Sequence, residues 1–173
     1  MSDFVKALVS QPPQGEVQEK WNLFGQFVGG WDFEGVYGKD APDEWRVPGE
    51  WLFSWILDGT AIQDVFICPS RAERKVNPHP AGEYGTGIRS YNPTKDAWDI
   101  CYGGYGFLYM LEAKQVGAQI IVTNKDASDG RNEWVFSDIT PASFHWQNRT
   151  SYDDGATWHV NFELFARRRG ARP

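Results

Sequence analysis

Asp64 is the residue in this chain with the clearest claim to chemistry. The Asp58-Gly59 pair ahead of it has the composition of a two-residue hairpin turn. That turn sets a register in which Leu57 faces Thr60, Trp55 faces Ile62, Phe53 faces Asp64 and Trp51 faces Phe66. One face then carries Trp51, Phe53, Trp55, Leu57, Ile62 and Phe66 around a single carboxylate, while Leu52, Ser54, Ile56, Ala61, Gln63 and Val65 fill the other. A carboxylate among aromatic rings is costly to bury unless it is paired or hydrogen-bonded. Desolvation favours the protonated form of such a group and suits it to general acid or base work. An arginine partner turns it instead into a structural anchor. Arg89, between Ile88 and Ser90, is the nearest partner by strand order, and a structural ion pair is the reading preferred over catalysis. Tyr102 and Tyr109 can offer a hydroxyl to a ligand or act as acids, with packing as the plainer role for each. As a catalytic set, Asp64, Arg89 and Tyr109 would serve a cofactor-independent isomerase, cyclase or lyase.

The remaining reactive side chains argue against other chemistries. Cys68 and Cys101 have no CxxC spacing and no neighbouring histidine, so no metal site is expected and reduced thiols are. If Asp153-Asp154-Gly155 makes a three-residue turn, Asn148 faces Val160 and Trp146 faces Phe162. Phe144, Trp146, Trp158, Val160 and Phe162 then share an inner face, and His145, Gln147, Arg149, His159, Asn161 and Glu163 the outer one. This register buries no unpaired charge. It leaves both histidines outside, which disfavours a metal or haem ligand, and His79 falls in a polar loop. Gly103-Gly104-Tyr105-Gly106 precedes no helical pattern, so it reads as a strand bend or bulge rather than a phosphate cradle.

These residues need elements to hold them. Asp3 can cap a short helix through Val9, and Gln11 to Gly15 breaks it. Val17, Trp21, Phe24 and Val28 make one helical face within 16–28, which Gly29-Gly30 ends. From Trp31 the period changes to two. Ten strands follow: 31–37, 50–57, 60–68, 84–91, 98–102, 107–114, 119–124, 133–139, 144–152 and 157–167, with turn residues between them. An up-and-down antiparallel β-barrel of about ten strands, behind a short N-terminal helical segment, closes such a chain without free edges. A two-sheet sandwich is the rival. The expected layout is one domain over 1–173, with a helical segment over 1–28 and the barrel over 29–169. The loop 69–83, with three prolines and several charges, is either a lid or a surface excursion.

Composition narrows the partners. Aromatic residues are 16% of the chain, an unusually high share; a bulky β core alone explains most of them, and such residues also line pockets at little entropic cost. A net charge of −6 lacks the basic stripe that nucleic acid requires; the one basic run, Arg167 to Arg169 with Arg172, reads as a strand end and tail. There is no apolar run of about 18 residues for a membrane span, and no secretory pattern at the N-terminus. Cytoplasmic location is the expectation.

Gly29-Gly30-Trp31, preceded by a helix and answered by Arg167 or Arg168 at the last strand, resembles the G-x-W opening of lipocalins. In that family the Trp closes the barrel floor and a basic residue packs over it. Gly49-Glu50-Trp51, the stretch from Leu57 to Val65, Tyr91-Asn92-Pro93 with Trp98, and Ser151 to Trp158 resemble the DUF1579-like group of bacterial proteins, over roughly residues 25 to 169. The resemblance implies a calycin-type barrel and carries no established reaction. The expected function is to hold a small apolar or aromatic molecule inside the barrel, contacted by Trp51, Phe53, Trp55, Phe66, Tyr102, Trp146 and Asn148, with no cofactor. A homodimer is compatible with this reading. The competing readings are the enzyme with Asp64 as acid or base and a barrel packed solid by its aromatics.

Overall fold

In the computed structural model, residues 2–13, 18–39, 41–78, 82–124, 127 and 130–170 are described. Two short helices, α1 (Asp3–Leu8) and α2 (Gln18–Gly25), precede the strands. Ser2, rather than Asp3, caps α1, its hydroxyl accepting from the Val5 N–H. Val9 then bridges antiparallel to Ile56, and the Ser10 N–H donates to the Trp55 carbonyl at 2.9 Å, which fixes the segment alongside that stretch of chain. On α2 the expected apolar face delivers Phe24 to the interior, and Phe27 in the following turn joins it; both are fully buried. Val17 lies outside the described residues.

The ten strands are β1 (Gly29–Tyr37), β2 (Trp45–Ile56), β3 (Ala61–Cys68), β4 (Glu83–Asn92), β5 (Ala97–Gly104), β6 (Phe107–Val116), β7 (Gln119–Asn124), β8 (Arg131–Ser137), β9 (Ser143–Ser151) and β10 (His159–Arg168). Each pairs antiparallel with its neighbours in sequence, and β1 pairs with β10 to close the barrel. The expected up-and-down topology is therefore the observed one. Among the described residues only a 3₁₀ turn, Glu73–Lys75, interrupts the long connection after β3. No described helix is long and apolar enough to cross a membrane.

Alternation along each strand sends one set of side chains inward, and the barrel's two ends differ. The floor is closed by Trp31, whose indole donates to the Phe27 carbonyl at 2.7 Å. Phe24, Phe27, Phe136 and Phe144 pack around it with ring centroids 4.8–6.2 Å apart. The Arg168 guanidinium lies 4.2 Å above the Trp31 ring and donates to the Val28 carbonyl, so Arg168 is the basic residue over the floor.

Three local expectations are corrected. β2 begins five residues before position 50, at Trp45, despite Pro48. Its pairing with β3 reaches only Glu50↔Ile67, so Pro48 sits where β2 has a strand partner on one side only, the place a strand tolerates proline. The β9–β10 register is Asn148↔Phe162 and Trp146↔Leu164, two residues from the expected pairing. The connection runs from 152 to 158 because Asp153 accepts from the Thr157 N–H at 2.8 Å and from its hydroxyl, making a wider loop, and a bulge follows at Asn161. Gly103-Gly104-Tyr105-Gly106 is neither bend nor bulge: Gly104 faces Phe107 and Tyr105-Gly106 turn the hairpin, with Gly106 at φ +85°.

Candidate functional site

The β2–β3 hairpin has the register the sequence predicts: Trp51↔Phe66, Phe53↔Asp64 and Trp55↔Ile62. Leu57 is the exception on the inner face, exposed in the turn. Asp64 is wholly buried and ion-paired with Arg89, itself 2% exposed. The other carboxylate oxygen accepts from the Trp51 indole at 2.8 Å. Arg89 also lies 5.1 Å from the Phe24 ring centroid and 5.5 Å from that of Phe53. Burial pushes the guanidinium down from its ordinary value.

Space for this pair comes from Gly87, which faces Asp64 across the β3–β4 ladder. A Cβ there would stand 2.6 Å from the carboxylate and 2.8 Å from the guanidinium. The pair thus occupies the middle of the barrel, and neither residue lines an open space. Both carboxylate oxygens of Asp64 are engaged, one by Arg89 and one by the Trp51 indole. Tyr109, the third residue of the expected catalytic set, is not brought to them: it is 38% exposed and stacks on Phe107 at 5.2 Å, at the mouth end of β6.

Above the pair, toward the mouth, lies a cavity of about 110 Å³. Five of the expected ligand contacts line it: Trp51, Phe66, Tyr102, Trp146 and Asn148. Phe53 and Trp55 do not, because β2 runs downward from Trp51. Phe53 packs on Phe27 at 5.7 Å, and Trp55 lies against Trp21 and under Gly25 at the floor. Tyr37, Glu83, Trp134 and Phe162 complete the lining. Period-two reading marks each of these four: Tyr37 continues Trp31 and Phe33, and Glu83 precedes Gly85, Gly87 and Arg89 on the inner face of β4. The signal was there, but a single polar strand end gives no hint that it turns inward.

The polar groups of the cavity form a small network. The Tyr102 hydroxyl donates to Glu83. It occupies the room left by Gly85, where a Cβ would meet its oxygen. Burial raises the Glu83 carboxyl above the ordinary carboxylate range, against a smaller opposing effect of the Tyr102 bond. Burial likewise raises Tyr102 and Tyr37, and the Cys68 thiol beside Tyr37 is pushed up to about 12. Tyr102, Tyr37 and Cys68 are thereby held neutral at physiological pH. Cys101 lies on the other side of the wall, and the two thiols are not bonded to each other.

Larger depressions lie outside the barrel, among them a crevice of about 310 Å³ beside α2 and a groove of about 620 Å³ on β3–β6. Both are surface features without buried ionisable groups. No cluster of potential metal ligands occurs among the described residues. His145 sits on the outer face, 2.9 Å from Glu163 and stacked on Phe165; His159 is exposed, and His79 lies outside the described residues.

Among the solved structures that resemble the chain is the S-type phycobiliprotein lyase CPES from Guillardia theta, with a TM-score of 0.59 at 11% identity over 92% of this chain and 100% of that one. The fold is a lipocalin-like, calycin-type barrel. Rv2717c from M. tuberculosis shares it, with a TM-score of 0.54 at 8% identity over 87% of this chain and 97% of that one. At such identities the likeness concerns the fold. No family model matches this calycin barrel's sequence, and no curated protein does.

Proposed function

We propose that the protein binds a small, largely apolar molecule of about one aromatic ring in the upper half of its barrel, without a cofactor. The observation that carries this is the cavity itself: aromatic walls from Trp51, Phe66, Trp134, Trp146 and Phe162 enclose about 110 Å³. That is less than the ~150 Å³ apolar cavity that accommodates benzene and well below the ~300 Å³ that drug-sized ligands need, so one ring is the upper limit and the cavity must give slightly to take it. The same proposal groups the chain with the DUF1579-like proteins it resembles. Toluene tests it. Saturating toluene should raise the thermal midpoint, since at a hundredfold excess over Kd a ligand adds about 2.7 kcal/mol of stability. Phe66→Trp, which fills the cavity from its wall, should abolish the rise. No shift with any one-ring compound would overturn the proposal.

A cofactor-independent isomerase, cyclase or lyase is the second reading, and a lyase among the structural neighbours favours it. Its acid or base passes from Asp64 to Glu83, the one carboxyl on the cavity wall. In that case Glu83→Gln stops turnover and spares binding.

A further inference from the structure

We infer that the preferred ligand is a small methylated ammonium cation, held by the aromatic walls of the cavity with Glu83 as its counter-charge. The inference rests on the binding reading above and names the chemistry of the bound molecule. Trp51, Trp134 and Trp146 line the space together with Phe66, Tyr102 and Phe162. Neighbouring rings stand at steep angles: 90° between Trp51 and Trp146, 88° between Tyr102 and Trp134, 85° between Trp51 and Phe66, and 83° between Phe66 and Phe162. Walls so placed surround a compact group from several sides. Aromatic rings attract cations, tryptophan most strongly, and cages of such rings recognise quaternary ammonium groups. The methyl groups keep an ion of this kind largely apolar, and tetramethylammonium has fewer heavy atoms than a benzene ring.

Charge selects the cation. Glu83 is on the wall, and no lysine, arginine or histidine lines the cavity. One Glu83 oxygen accepts from the Tyr102 hydroxyl, its one side-chain partner among the described residues, and the other remains for a ligand. The groups around Glu83 are uncharged or already paired. Tyr102 on β5, Tyr37 on β1 and Cys68 on β3 are held neutral, and Arg89 on β4 is ion-paired with Asp64. Arg74, in the 3₁₀ turn, donates to the Glu83 carbonyl at 3.0 Å and lies over the exposed Tyr84 ring. Burial pushes the Glu83 carboxyl toward its neutral form, and a cation beside it favours the carboxylate again. An anion would meet no counter-charge in this space.

Tetramethylammonium, its neutral near-isostere tert-butanol, and toluene separate the outcomes, each titrated calorimetrically at constant ionic strength between pH 4.5 and pH 8. At pH 8 tetramethylammonium should bind about tenfold more tightly than tert-butanol, the worth of a desolvated cation–π contact. That ratio should shrink as pH falls, because protonating Glu83 removes the counter-charge. In Glu83→Gln the ratio should be small at every pH, and a ratio cancels any general change in the cavity. The pH series in the wild-type protein reads the same effect without the variant. Equal binding of the two compounds, a ratio that does not move with pH, or a ratio as large in Glu83→Gln as in the wild type overturns this inference. Saturable toluene binding then leaves the cavity proposal standing. Failure of all three compounds to bind overturns both.

Discussion

Arg89→Met is the perturbation whose cost the structure fixes most closely. It leaves Asp64 charged and wholly buried, with the Trp51 indole at 2.8 Å as its remaining partner. Breaking a buried ion pair from one side costs about 3–5 kcal/mol. The lost stacking on Phe24 and Phe53 adds about 0.5–2 kcal/mol, of which the methionine thioether restores part. The sum is about 4 kcal/mol, a large share of the ~5–15 kcal/mol that domains possess. Asp64→Leu together with Arg89→Met removes both charges. It orphans only the Trp51 N–H, for about 1–3 kcal/mol. The double variant should therefore be more stable than the single one by about 2 kcal/mol. Urea denaturation followed by tryptophan fluorescence, at constant m value, reads both numbers. A cost below about 1 kcal/mol for Arg89→Met, or a double variant less stable than the single, would refute the buried-pair reasoning.

Glu83 gives a pH signature of definite sign. Its folded value is raised above 4.5, so between 4.5 and the folded value the native state keeps a proton the unfolded chain has lost. Stability then falls as pH rises through that window. Calorimetric midpoints should show this decline in the wild-type protein and a flatter profile in Glu83→Gln; parallel profiles would contradict it. At the floor, Arg168→Met removes the cation over Trp31 and donors to the Val28 and Pro141 carbonyls. A loss of about 2 kcal/mol in the same urea assay is expected, and a change within 0.5 kcal/mol would contradict the role.

Much of the fold is legible from short-range chemistry. Asp58-Gly59 sets the β2–β3 register because its left-handed residues make a tight hairpin, with Thr60 N–H bonded to the Leu57 carbonyl at 3.1 Å. The Asp153 loop was misread because side-chain bonds to Thr157 and Ser151 widen it, and a bulge at Asn161 restores the pairing. Such bonds depend on loop conformation, which composition does not specify. For the site, alternation identified the inward side chains but not their height in the barrel. That is why Trp51 and Phe66 border the cavity while Phe53 and Trp55, of identical pattern, pack beneath it. The Asp64–Arg89 pairing was foreseeable from strand order. Its position below the cavity follows from Gly87, whose missing side chain gives the two charges their space.

The most direct test of the account is a toluene titration followed by the ¹H–¹⁵N resonances of the nine tryptophan indoles. Saturable shifts centred on Trp51, Trp134 and Trp146, the three that line the cavity, with little change at Trp31 or Trp158, are the predicted result. Shifts confined to Trp21, Trp31 or Trp158, or no saturable shift at all, would contradict it.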